Sequence, residues 1–256
     1  MPNPGKFFWY EFMADDVAAA EKFYTHVVGW GTQDSGVPDA HYTLFTAGDA
    51  GVAGLMILPE EARKKGARAG WLGYIHVEDA DEAATKIKEA GGIIHREPYT
   101  IPTVGRFAVA ADPQGAVFLI MKPEPRETRP PAALGTPGHI GWHELHAADG
   151  NTALAFYEKL YGFKETGTHD MGPMGQYRLF AAGETDFGGV MTKMPQEPVP
   201  YWLYYFNVDN IDAAADRIKS AGGNILHGPA EVPGGSYIIN AMDPQNAIFA
   251  VVGPKK

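Results

Sequence analysis

The sequence predicts an α+β fold: four βαβββ modules forming two cupped mixed sheets. Three observations predict it. The segment 7–30, an apolar strand running directly into a helix, returns at 140–163. Trp9 recurs as Trp142, Glu11 as Glu144, Phe23-Tyr24 as Phe156-Tyr157 and Gly29 as Gly162, every pair 133 residues apart (142 − 9). A fixed offset across a whole strand–helix unit marks an internal repeat. A second strand–helix unit inside each half repeats as well: the helical face Ala80, Ala83, Ile87 and Ala90 returns as Ile211, Ala214, Ile218 and Ala221, 131 residues on (211 − 80). Finally, Lys122 to Gly138 carries Pro123, Pro125, Pro130, Pro131 and Pro137. Such a run cannot donate a regular hydrogen-bond ladder and reads as a linker. The predicted organisation is a two-module domain at 1–122, the linker at 123–138 and a second two-module domain at 139–256. One helix covers only one face of a four-stranded module, so the other face must pack on a partner module or close around a ligand. Whether module one shares its cup with module two or with module four, the sequence leaves open.

The elements follow in order. On the first strand Trp9, Glu11 and Met13 share one face, and Phe8, Tyr10 and Phe12 the other, because side chains alternate along a strand. His41 to Ala47 and Val52 to Leu58 read as strands around the turn Gly48-Asp-Ala-Gly51, and Pro59 closes the second. Residues 60–70 form a polar connection holding the densest basic cluster, Arg63, Lys64, Lys65 and Arg68. Trp71 to Val77 is the next strand; Asp79 caps the helix after it, with Glu82 three residues on, as in a capping box. Gly91-Gly92 supplies the left-handed residue that ends that helix. Ile93 to His95, Arg106 to Ala110 and Ala116 to Met121 are strands, the last two joined by Asp112-Pro113-Gln114-Gly115, a type I turn with Pro second and Gly fourth. The second half repeats this plan: Tyr42 to Gly48 becomes Tyr177 to Gly183, Gly222-Gly223 ends the helix, and Asp243-Pro244-Gln245-Asn246 makes the turn. Asn replaces Gly there because it too tolerates turn geometry.

Composition narrows the function. The chain has 256 residues, 45% apolar content, net charge −10 and a pI of about 5.3. An acidic chain without long basic runs lacks the electrostatic footprint of a nucleic-acid binder. The absence of cysteine excludes disulfides, thiolate metal sites and cysteine nucleophiles. The first residues lack the charged-then-apolar pattern of a signal peptide, and no apolar run reaches membrane-spanning length. The expectation is a cytoplasmic protein with a small-molecule ligand, no nucleic-acid or membrane partner, and either a monomeric state with an internal pseudo-twofold or a homodimeric one. No nucleophile elbow, phosphate loop or dinucleotide fingerprint occurs.

The candidate chemistry lies on the repeated first strands. Glu11 and Glu144 each follow a Trp by two residues on the same face. A carboxylate among aromatic side chains is costly to bury unless it is paired or wetted, and a ligand cavity supplies either condition. Alternation along 71–77 puts Leu72, Tyr74 and His76 on the same presumed cavity face; the second half offers Leu203, Tyr205 and Asn207. Glu11, Glu144, His76 and His146 are thus the candidate acid–base groups. Trp9, Trp142, Tyr74, Tyr205, Tyr42, Tyr177 and Arg106 are the candidate substrate contacts. Arg106 suits either a surface ion pair or a bidentate grip on an anion. The two glutamates share no partner legible in the sequence: the counterpart of Arg106 is Ser236, and that of His76 is Asn207. His41, His95, His169 and His227 fall at turns or loop edges, and His143 faces away from Glu144.

The strand–helix ends Phe23-Tyr24…Gly29-Trp30 and Phe156-Tyr157…Gly162-Phe163, the Gly-Gly helix ends and the two Asp-Pro-Gln turns together resemble the vicinal oxygen chelate superfamily. This is the glyoxalase/bleomycin-resistance/dioxygenase group, and the chain is most similar to its duplicated, glyoxalase-like branch. The resemblance spans nearly the whole chain outside the linker. It implies modules paired into cups around a small-molecule site, and a glyoxalase-related lyase or isomerase acting on a small carbonyl-containing or polar compound. A metal-free protein that sequesters a flat ligand against Trp9 and Trp142 is the alternative it implies. The family's metal ligands, carried over, fall on Trp9, Leu72 and Leu119 in the first half and on Trp142, Leu203 and Ala250 in the second. None of these side chains ligates a divalent ion, so the expectation is no metal cofactor.

Overall fold

The structure is a computed structural model that describes residues 4–36, 41–125, 132–183 and 185–256. Residues 126–131 of the predicted linker and the first three residues of the chain lie outside the described residues.

Four modules run in sequence. The first comprises β1 (Phe7–Ala14), α1 (Val17–Val28), β2 (Gly31–Asp34), β3 (Thr43–Ala47) and β4 (Ala50–Ile57). A short helix, α2 (Glu60–Lys64), occupies part of the polar connection at 60–70. The second comprises β5 (Gly70–His76), α3 (Ala80–Glu89), β6 (Ile93–Ile101), β7 (Gly105–Ala111) and β8 (Val117–Pro123). The third comprises β9 (Ile140–Ala147), α4 (Gly150–Tyr161), β10 (Lys164–Asp170), β11 (Gln176–Ala181) and β12 (Asp186–Thr192). The fourth comprises β13 (Tyr201–Asn207), α5 (Ile211–Ser220), β14 (Asn224–Glu231), β15 (Tyr237–Met242) and β16 (Ile248–Gly253). In every module the first strand pairs parallel with the last, and the last three strands form an antiparallel meander. The strands belong to two eight-stranded mixed sheets, one in each half of the sequence.

The predicted signals appear as local structure. Asp16 and Asp149 cap α1 and α4 with their side chains, and Gly29 and Gly162 end them in the left-handed region. The Asp79 carboxylate accepts from the Asp81 and Glu82 amides. Gly115 and Asn246 close the two turns at φ 100° and 64°, each amide donating to the Asp at the turn's start.

Packing groups the modules in another way than the chain does. One compact unit comprises Met1–Phe8, Leu72–Pro130 and Trp142–Trp202; the other comprises Trp9–Trp71, Pro131–Gly141 and Leu203–Lys256. The first therefore holds modules two and three, and the second modules one and four. The Asp-Pro-Gln turns explain why. In the first unit the Gln114 side chain accepts from the Asp149 amide (2.7 Å) and donates to its carbonyl (3.0 Å) at the start of α4. Tyr157 of that helix donates to buried Asp112 (3.0 Å) and accepts from Trp202 Nε1 (3.0 Å). In the second unit Gln245 grips Asp15 and Asp16 at the start of α1 in the same manner, and Tyr24 donates to Asp243 (3.0 Å). Each turn and each Phe-Tyr pair are thus two jaws of one clasp, and aromatic rings fill the space between them: Phe118 against Phe156 and Tyr157, Phe249 against Phe23 and Tyr24.

Candidate functional site

The repeated first strands build two networks on one plan. Glu11 lies opposite Gly54 in the parallel β1–β4 pair, and Glu144 opposite Gly189 in β9–β12. A Cβ at Gly54 would overlap the Tyr42 hydroxyl, and one at Gly189 the Tyr177 ring. Each glycine therefore leaves the slot through which a tyrosine crosses the neighbouring strand and reaches the glutamate. Trp9 Nε1 donates to the Tyr42 hydroxyl at 3.0 Å, and Tyr42 hydrogen-bonds Glu11. Trp142 Nε1 donates to the Tyr177 hydroxyl at 2.8 Å, and Tyr177 donates to Glu144 Oε2 at 2.7 Å. Burial, and then the charge of the adjacent glutamate, push both phenols well above the ordinary value of 10.0. The expectation that the glutamates have no shared partner is corrected here: Tyr42 and Tyr177 are that partner.

The second copy carries an addition. His146 stands where the first copy has Met13 (146 − 133), on the same strand face as Glu144. Its Nε2 lies 2.8 Å from Glu144 Oε1, and its Nδ1 lies 3.2 and 3.0 Å from the two oxygens of Glu197. Tyr201 stacks on the imidazole at 4.5 Å and donates to Glu197 Oε1 at 2.6 Å. The Met194 amide donates to Glu197 Oε2 at 2.6 Å, and Lys193 Nζ to the Glu197 carbonyl. Burial disfavours a charged imidazole, but hydrogen bonds and charge from Glu144 and Glu197 outweigh it and hold His146 up at about 9. Burial also raises the Glu197 carboxyl, yet bonds from His146 and Tyr201 bring it down to about 2. A carboxylate at each ring nitrogen favours the imidazolium form, with one N–H toward each carboxylate. Glu144 thus accepts from two strong donors, and a ligand oxygen that takes either donor frees a carboxylate oxygen beside it.

Tyr74, Tyr205, His76 and Arg106 complete the sequence candidates. Tyr74 and Tyr205 are buried on β5 and β13, Tyr74 with its ring 6.4 Å from that of Phe107. His76 is buried, its ring edge-on to Phe8 at 5.8 Å, and its Nδ1 has no hydrogen-bond partner. Arg106 makes the surface ion pair, donating to both oxygens of Asp81 (2.6 and 2.7 Å) and to Thr100 (3.0 Å). His76 and Arg106 share only the wall of a cavity of about 90 Å³, with Glu78, Lys122 and Glu124 at its rim. His41, His95, His169 and His227 are exposed. His143, on the opposite face from Glu144, is buried against Phe187 (4.0 Å) and Phe7 (5.0 Å); burial lowers it to about 3, so it stays neutral.

Sequence reasoning misses Glu197, Tyr201 and the two slot glycines. The only signal for the glycines is their place in matching strands, VAGLMI and FGGVMT. The positions carried over for metal binding offer no donor atoms: Leu119 is opposite Tyr74 and Ala250 opposite Tyr205, with Leu72 and Leu203 on the first strands of their modules. Among the described residues no group of three or more His, Asp or Glu is arranged to hold a metal ion, and no helix is long and apolar enough to cross a membrane.

Four βαβββ modules with two Trp–Tyr–Glu networks define a duplicated small-domain protein of the cupped-sheet class. The chain belongs to the Glyoxalase/Bleomycin resistance protein/Dioxygenase superfamily, whose family model matches residues 6–120 and 137–251. It is 32% identical over 249 residues to CFP32 of Mycobacterium tuberculosis, named provisionally as a glyoxylase; the match covers 96% of this chain and 94% of that protein. It is 31% identical over 261 residues to DauV of Streptomyces sp. strain C5, an anthracycline biosynthesis protein, covering 97% and 93% of the two chains. Among solved structures it is similar to the Mn(II)-bound glyoxalase from Novosphingobium aromaticivorans, with a TM-score of 0.64 at 19% identity, covering 98% of this chain and 81% of that one.

Proposed function

We propose that the protein is a small-molecule enzyme of this superfamily in which Glu144 removes a proton from carbon next to a carbonyl. The observation that carries the reading is the pairing of Glu144 with the His146 imidazolium and the Tyr177 hydroxyl, at 2.8 and 2.7 Å. A substrate carbonyl oxygen that replaces Glu144 as the acceptor of the His146 Nε2–H leaves Glu144 Oε1 as the base. The C–H proton passes to Glu144, the C–H electron pair forms the new C=C bond as the carbonyl π pair moves onto oxygen, and the imidazolium N–H stabilises the enolate so formed. Trp142 offers an aromatic wall for the substrate. This reading takes no divalent metal, because the side chains at the carried-over positions, Trp9, Leu72, Leu119, Trp142, Leu203 and Ala250, are not ligands. Elemental analysis after mild dialysis tests that part, and about one tightly held Zn, Ni, Mn or Fe per half overturns it.

The reaction is tested by α-hydrogen exchange of hydroxyacetone in D2O, followed by proton NMR. Exchange above the buffer rate that falls by about 10²-fold or more in Glu144→Gln supports the reading. A second reading, sequestration of a flat ligand, is favoured by one observation: the first copy keeps the Trp9–Tyr42–Glu11 network but has Met13 where the acid–base histidine stands. Quenching of tryptophan fluorescence by an anthracycline, with no exchange catalysis, would favour that reading.

A further inference from the structure

The two halves differ in a concerted way around one group. His146 corresponds to Met13 (146 − 133), and Tyr201 corresponds to Gly70 (201 − 131). Glu197 sits in the connection between β12 and β13, where the first half has the exposed helix α2. All three second-half residues touch one another, and the first half has none of them. An isolated imidazole in the His146 position would be buried next to Glu144 alone and free to turn its ring. The Glu197 carboxylate fixes the ring from the Nδ1 side, the Tyr201 ring lies flat against it, and Glu197 is itself anchored by the Met194 amide and the Tyr201 hydroxyl. Two well-held carboxylates at opposite ring nitrogens leave a doubly protonated ring as the form that satisfies every partner.

We infer that Glu197 is a positioning residue that keeps His146 doubly protonated with its Nε2–H on Glu144, and that this device gives the second copy of the duplicated scaffold an acid–base role the first copy lacks. The inference rests on the proposed role of Glu144 and His146. Glu197 touches no reacting atom; it acts through the imidazole. Among the described residues, the titratable groups that face the ring are Glu144 on its own strand, Glu197 from the connection and Tyr201 from β13. Tyr177 reaches it only through Glu144, and Lys193 only through the Glu197 carbonyl.

The test reads the imidazole directly. In protein labelled with ¹⁵N-histidine, His146 is followed by NMR from about pH 5 to 10 in wild type and in Glu197→Gln. Wild-type His146 should show imidazolium shifts well above neutrality, and in the variant it should titrate at least about one pH unit lower. Hydroxyacetone exchange by the variant should fall at least about tenfold, with its pH profile displaced in the same direction. If Glu197→Gln fails to fold, Tyr201→Phe, which removes one donor to Glu197, is read in the same titration and should lower it by a smaller amount. An unmoved His146 titration overturns the inference whatever the exchange rate. A moved titration with wild-type exchange and pH profile also overturns it. Wild-type protein that catalyses no exchange sinks the acid–base role of Glu144, whereas the histidine titration still decides whether Glu197 sets the state of the ring.

Discussion

Tyr157→Phe should destabilise the protein by about 3 kcal/mol. The hydroxyl it deletes makes two buried bonds at once: it donates to Asp112 and accepts from Trp202 Nε1, each at 3.0 Å. Asp112 keeps two backbone donors on its other oxygen, the amides of Gln114 (2.9 Å) and Ala116 (3.0 Å), so the turn itself survives. What is lost is one hydrogen bond to a charged group, worth ~1.5–3 kcal/mol, and the indole N–H is left without a partner, at ~1–3 kcal/mol. Partial rewetting and the apolar gain from phenylalanine pull the sum toward the lower end. Urea melts followed by tryptophan fluorescence give the difference, with the slope unchanged if the native and unfolded states keep their exposed area. Burial holds the Asp112 carboxyl above its ordinary value, and the Tyr157 bond works against that rise. Ionising Asp112 therefore costs stability as pH climbs from the unfolded to the folded pKa, and the deficit of Tyr157→Phe should shrink in acid, where the carboxyl is neutral in both states. A loss below about 0.5 kcal/mol at pH 7, the range of an ordinary surface substitution, would refute the assignment of this pair as the clasp of its unit.

Three further outcomes follow from the two networks. The fold raises His146 from 6.5 to about 9, so its contribution is complete below pH 6.5 and is lost as pH rises through 9; it lowers Glu197 from 4.5 to about 2, so that contribution is complete above pH 4.5 and is lost as pH falls through 2. The difference in Tm between wild type and Glu197→Gln should accordingly be widest between pH 4.5 and 6.5, and a difference that is flat across the range contradicts the pairing. Gly189→Ala should cost ~1–3 kcal/mol, as overpacking does, and should expel the Tyr177 ring from its slot; ultraviolet titration would then show a tyrosine moved down toward 10, and an unchanged phenol with an unchanged melt speaks against the slot. Glu11→Gln keeps an acceptor oxygen for Tyr42 and should shift stability by less than about 1 kcal/mol, whereas Glu144→Gln removes one of the two charges facing the imidazolium and should cost more; equal costs at the two positions would mean that His146 adds nothing to the second network.

The fold was legible because its signals are local and repeated. A constant offset needs no knowledge of contacts, and the caps and turns follow from the conformations that Asp, Gly and Asn allow. β2 escaped because Gly-Thr-Gln-Asp is exposed at every position and so carries no alternation. The grouping of modules one with four and two with three was not legible, because the residues that decide it, Gln114 and Gln245, act on backbone 35 and 230 residues away. The site was half legible. Strand alternation put Trp142, Glu144 and His146 on one face, and the matching strands brought Tyr177 into view without its role. Glu197 and Tyr201 lie 51 and 55 residues beyond His146, in and just after a connection with no periodicity, where only folding reveals the neighbour.

Duplication also separates structure from chemistry within one chain. A residue kept in both copies answers to something both copies need, and here that is the Trp–Tyr–Glu network threaded over a glycine. Its tyrosine is fixed from both sides, by an indole donor and a carboxylate acceptor, which makes it a means of burying a glutamate at modest cost. Such a glutamate is a prepared charge in either half, but a prepared charge alone performs no proton transfer. Proton transfer also needs a second titratable group in contact with the first, held in a defined protonation state. The second half adds a histidine for that purpose, held by residues drawn from a strand, a connection and the next module's first strand. A histidine substituted for Met13 would lack counterparts of Glu197 and Tyr201, since Gly70 stands at the position of Tyr201 and the first half has the helix α2 in place of the Glu197 connection. The copy that carries His146 carries Glu197 and Tyr201 with it, and that joint occurrence is what the physical cost of a lone buried imidazolium requires.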